Sequence, residues 1–85
     1  MARTARVLLF ATAREAAGTN EIDWPVPEEG IPISELLAAL TDRFPRLRAV
    51  SAHSRFLVNS EYVRGLKGKI RPGDEFAIHP PYSGG

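Results

Sequence analysis

The chain has 85 residues, 44% of them hydrophobic and 25% charged, with a net charge of +1. That suits one small globular domain and excludes a membrane span, which needs ~20 consecutive apolar residues. Cysteine is absent, so there is no disulfide framework, thiolate nucleophile or cysteine-based zinc site.

Arg6-Val7-Leu8-Leu9-Phe10-Ala11 is an apolar run that predicts a buried strand. Ala13 to Ala17 predicts one helical turn, stopped by Gly18. In the stretch from Glu21 to Pro27, Ile22, Trp24 and Val26 alternate on one side. Its two prolines suit an edge strand. The two strands should form a hairpin with a longer loop.

Ser34 is the expected cap of a helix whose apolar stripe is Leu36, Leu37, Leu40 and Phe44. Pro45 should end it, because proline disfavours helical geometry in the residue before it. A helix this short needs a sheet to pack on. Leu47 to Ala52 reads as a turn of helix or a loop. Strands are expected at Arg55–Asn59, Tyr62–Val63 and Glu75–Ile78, with Lys67–Ile70 as a connecting loop. Arg71-Pro72-Gly73-Asp74 is the signature of a type II turn.

Two strands, a helix and then further strands define an α+β fold of the β-grasp kind: a mixed sheet of four or five strands with one main helix on one face. The expected organisation is a domain over residues 1–79 and a tail over 80–85. In the first strand, Val7 and Leu9 point one way, Leu8 and Phe10 the other. Both sets are apolar. One must be core; the other either lies under a loop or docks a partner, and docking is the favoured expectation because little chain remains to cover it.

Charge is uneven, with three Arg against six Asp/Glu over residues 1–35 and eight Lys/Arg against four acids over 36–85. It lacks the dense basic stripe of a nucleic-acid binder. The N-terminus shows no signal-peptide pattern, so a cytoplasmic location is expected. His53 and His79 have no metal-ligand spacing, and neither a phosphate-cradling loop nor a nucleophile elbow occurs. Neither a bound metal, a bound cofactor nor catalysis by this chain is expected.

The chain closes on Pro80-Pro81-Tyr82-Ser83-Gly84-Gly85. Extended, these six residues reach at most ~20 Å. The prolines stiffen the base, and the glycines, with no Cβ, suit a narrow channel. Such an end can carry a reactive carboxylate into another protein. Without cysteine, any sulfur the chain handles would have to sit on that carboxyl.

Phe10-Ala11, Arg14-Glu15 and Gly18-Thr19, with Val58-Asn59, Gly73-Asp74-Glu75 and the Pro-Pro-Tyr-Ser-Gly-Gly ending, resemble the small subunits of molybdopterin synthase. These are the ubiquitin-like sulfur carriers of molybdenum cofactor biosynthesis. The resemblance spans Arg6 to Gly85 and implies that an E1-like adenylyltransferase uses ATP to adenylate Gly85. A sulfurtransferase would be the sulfur source for converting the adenylate to a thiocarboxylate. Gly84, Ser83, Pro81 and Pro80 would thread the tail into the large subunit, where the dithiolene of molybdopterin is made. The implied assembly is a heterotetramer of two small and two large subunits.

Phe10, Tyr62 and His79 fall where the family presents apolar groups to the large subunit or the activating enzyme. His79 departs from the usual phenylalanine, and ordinary core packing is the other reading of Phe10 and Tyr62. Competing functions are a thiazole-pathway carrier, a ubiquitin-like modifier forming isopeptide bonds, and a plain interaction module. No nucleic acid or membrane partner is expected.

Overall fold

Strand β1 (Thr4–Leu9) points Ala5, Val7 and Leu9 into the interior, where each is at most 1% exposed. Leu8 stays half-buried on the opposite face, which settles the sidedness that the sequence left open. The computed structural model describes residues 3–81. Helix α1 (Thr12–Ala17) follows, ended by Gly18 in the left-handed conformation with its N–H on the Arg14 carbonyl. Strand β2 (Glu21–Pro25) returns antiparallel to β1 and forms the sheet edge that its proline implies.

Next come β3 (Ile31–Pro32), α2 (Ile33–Arg43), α3 (Leu47–Ser51), β4 (Arg55–Val58), β5 (Glu61–Val63), β6 (Lys69–Ile70) and β7 (Glu75–His79). The main sheet has the order β2-β1-β7-β4-β5. Only the β1–β7 pair is parallel, so the sheet is mixed. With α2 across one face, this is the β-grasp architecture. No helix among the described residues is long and apolar enough to cross a membrane.

The core lies between that sheet face and the helices. Val7, Leu9, Phe76 and Ile78 meet Ile33, Leu36, Leu40 and Leu47, all at most 1% exposed. The α2 stripe recurs every three or four residues, as one helix face requires. Phe44 leaves helical geometry at φ −123°, ψ 84° in front of Pro45.

Two expectations need correction. Ser34 does not cap α2: Pro32 occupies the cap position without a side-chain bond, and Ser34 lies exposed inside the helix. The helix starts earlier because Ile33 is drawn into the core, and its N–H is satisfied by the Gly68 carbonyl at 3.1 Å. Lys67–Ile70 is not wholly a loop. Lys69–Ile70 pairs with Ile31–Pro32 in a separate two-stranded sheet that buries Ile70 completely.

The type II turn is present, with Gly73 at φ 89° and the Asp74 N–H on the Arg71 carbonyl. Gly30 is tighter. At φ 93°, a Cβ there would lie 3.2 Å from the Ile70 carbonyl oxygen and 3.1 Å from Arg71 Cγ. Gly30→Ala is therefore expected to cost about 1–3 kcal/mol, each kcal/mol lowering Tm by roughly 4–8 °C. Thermal melting checks this, and an unchanged Tm contradicts it.

Candidate docking face and tail base

On the helix-free face of the sheet, cross-strand register places Leu8, Ala77, Leu57 and Tyr62 in one row across β1, β7, β4 and β5. This follows from strand alternation, since Val7, Phe76, Phe56 and Val63 are neighbours of these residues and belong to or pack on the core. The row is apolar and no helix lies over it.

A second row runs parallel to it at the end of β7. His79 pairs with Arg55 across the β4–β7 ladder. Its ring lies 5.2 Å from that of Phe10, inclined at 41°. The Arg55 guanidinium in turn sits 5.6 Å above the Tyr62 ring. The result is a chain of contacts, Phe10–His79–Arg55–Tyr62, along the rim of the apolar row.

Backbone hydrogen bonds hold Phe10 in place. Its N–H donates to the Ile78 carbonyl, and its own carbonyl accepts from the N–H groups of Ala13 and Arg14. Ala11 beside it adopts φ 50°, ψ −124°, a costly conformation for a residue with a Cβ. That bend starts α1 directly after β1. Phe10 is 41% and Tyr62 62% exposed, which removes the core-packing reading of both. His79 is also exposed.

The far end of the face is fixed by a polar latch. Asn59 Nδ2 donates to Asp74 Oδ1, while Asn59 Oδ1 accepts from the Glu75 N–H. Asp74 Oδ2 accepts from the Arg71 N–H. These bonds tie the β4–β5 turn, with Asn59 at φ 51°, to the start of β7. An Arg6–Glu21 ion pair at 3.4 Å flanks the face with both side chains about half exposed, so solvent screens it.

The chain leaves this face from β7, the middle strand of five. Pro80 is buried and Pro81 exposed, so the first proline anchors the base. Ser83, Gly84 and Gly85 lie outside the described residues. The structure thus gathers Phe10, His79 and Pro80 at one end of the face, with Tyr62 in the adjoining row. Sequence reasoning missed Arg55, Leu57 and Ala77. Alternation from Tyr62 and His79 was the available signal, but it needed the strand register. Among the described residues, no three His, Asp or Glu side chains converge as a metal site requires.

The sequence model of the ThiS family matches residues 7–85. The molybdopterin synthase sulfur carrier subunit of Chlamydomonas reinhardtii is 42% identical over 81 residues, covering 94% of this chain and 96% of that protein. The subunit of the same name from Dictyostelium discoideum is 34% identical over 86 residues and covers both chains fully, 100% of each. Among solved structures, SAMP1 of Haloferax volcanii has a TM-score of 0.82 at 29% identity, covering 96% of this chain and 99% of that one. The small archaeal modifier protein 1 of Methanosarcina acetivorans has a TM-score of 0.79 at 31% identity, covering 100% and 99%.

Proposed function

Because the chain belongs to the ThiS family, we propose that it is the sulfur carrier of a molybdopterin synthase, with the sulfur held on the carboxyl of Gly85. The observation that carries this reading is an uncovered apolar row with the Phe10–His79 pair beside it, at the root of a diglycine tail. The carrier relatives support the same role.

A carboxylate resists attack because its negative charge repels nucleophiles and an oxide ion is a poor leaving group. Adenylation by an E1-like enzyme, with ATP as its substrate, turns one oxygen into part of a departing AMP. The terminal sulfur of a sulfurtransferase persulfide would attack the acyl-adenylate and displace AMP. A thiol reductant would then cleave the resulting acyl disulfide, leaving the thiocarboxylate and an oxidised disulfide. The large subunit would accept the loaded tail and supply the catalytic groups that move sulfur onto a cyclic pterin phosphate. Two such donations give the dithiolene. This chain would be the cosubstrate, regenerated as a carboxylate after each transfer.

In that scheme the row Leu8, Ala77, Leu57 and Tyr62 docks on the partner, and Phe10 and His79 seat the tail base. Phe10→Asp is expected to weaken binding to the large subunit roughly tenfold or more, since a charge would be desolvated in an apolar contact. Titration calorimetry measures this, and unchanged affinity would place Phe10 outside the interface. The function itself is tested by mixing the sulfur-loaded chain with the large subunit and the pterin precursor. Formation of the dithiolene product supports the carrier reading, and its absence contradicts it.

The likeness to the archaeal modifier proteins favours a second reading, transfer of the adenylated Gly85 to lysines of other proteins. ATP-dependent adducts lost in a Gly85-deleted form would support it.

A further inference from the structure

Between α2, α3, β4 and β5 runs an open groove of about 730 Å³. Leu37, Phe56, Val63 and Leu66 give it an apolar floor, and Arg48 and Arg55 are its charged residues. Among the described residues, no Asp or Glu lines it. The hydroxyls of Thr41 and Ser51 already donate to the Ala38 and Arg48 carbonyls, so charge selectivity rests on the two arginines.

The surroundings extend that bias. Residues 43–71, which contribute most of the groove, carry eight Lys/Arg against the single acid Glu61. The Arg48 contact to Asp42 is 4.0 Å long, with both side chains largely exposed, and leaves Arg48 available. On one side the groove meets β5, the outer strand of the main sheet, which pairs only with β4 among the described residues. Apolar floor, cationic rim and open sheet edge therefore coincide.

We propose that this groove receives an extended acidic segment of a partner protein, in which aliphatic side chains alternate with Asp or Glu along β5. The alternation follows from strand geometry: every second side chain faces the floor, and the rest face the arginines and solvent. Backbone pairing with β5 gives affinity, and the cationic rim selects and steers an acidic partner. A single-stranded nucleic acid fits less well, because bases need stacking surfaces. Phe56 is stacked into the core on Phe76, and the Arg55 guanidinium lies over one face of the exposed Tyr62 ring, so the groove floor offers no free run of aromatic faces. The groove opens on the helix-bearing side of the sheet and shares Arg55 and Tyr62 with the docking face, whereas Arg48 and Leu66 lie outside that face and so test the groove separately from the carrier reading.

The test is an NMR titration of the full chain with a synthetic peptide of about ten residues alternating Leu/Val with Glu. A Lys-for-Glu peptide and an oligothymidylate serve as competing probes. The expected result is saturable shifts at Leu37, Val63 and Leu66 with the acidic peptide alone. Arg48→Glu and Leu66→Glu, both at exposed positions, should each weaken that binding roughly tenfold while Tm and sulfur transfer stay unchanged. The proposal is overturned by equal binding of the Lys peptide, by tighter binding of the oligonucleotide, or by the absence of saturable shifts in the groove.

Discussion

Deletion of Gly85 is expected to abolish sulfur transfer while leaving the melting temperature nearly unchanged. Among the described residues, the buried hydrophobic side chains run from Ala5 to Ile78, and Gly85 has no side chain to bury. Chemically, the deletion moves the carboxyl onto Gly84 and draws it back by about 3.5 Å. Misplacing a reacting group by ~1 Å can cost on the order of a hundredfold in rate, so this retreat should leave only background transfer. A deleted form that still transfers sulfur would remove Gly85 from the chemistry. A form that melts many degrees lower would instead make the loss of activity a folding defect.

Phe76→Ala is the substitution expected to damage the fold most. Phe76 is fully buried in the central strand β7, between Val7 and Val58 in the ladder. Its ring stacks on Phe56 with centroids 5.7 Å apart and planes 12° from parallel. Truncation removes that contact and opens a cavity where sheet and helices meet, a loss of about 3–5 kcal/mol. For a domain of this size the Tm should fall by roughly 15–30 °C, much of the total stability. Urea denaturation gives the free energy directly. A loss below about 1 kcal/mol would mean that the core collapses around the gap.

Strand β7, which holds Phe76, joins the core to the tail base at Pro80. Phe76 and Ile78 face the helices, while Ala77 and His79 face the uncovered side. The strand that anchors the fold thus also fixes the base of the tail, where Pro80 is buried next to the exposed His79.

What could be read from the sequence was local. The α2 stripe, its end at Pro45, the Gly18 stop and the Pro72-Gly73 turn are each specified within a few residues. Pro25 likewise marked β2 as an edge. What could not be read was non-local. β3 and β6 are two residues each and owe their existence to one another, so neither carries a period of its own. The start of α2 depends on a carbonyl from Gly68, distant in sequence. In β1 both faces are apolar, so alternation alone could not say which was buried.

The docking face shows the same division. Phe10, Tyr62 and His79 were picked out by resemblance to the molybdopterin synthase small subunits. Arg55, Leu57 and Ala77 join them only through the register of β4 with β5 and β7. Arg55 matters most among these, because it places a permanent cation between His79 and Tyr62.

The central claim is that Gly85 carries sulfur. Its most direct test is the intact mass of the chain after incubation with an E1-like adenylyltransferase, ATP, a sulfurtransferase charged with sulfur and a thiol reductant. The account predicts a gain equal to the difference between one sulfur and one oxygen atom, localised to the C-terminal fragment and absent from the Gly85 deletion. An unchanged mass under conditions where ATP is turned over to AMP and pyrophosphate would contradict it.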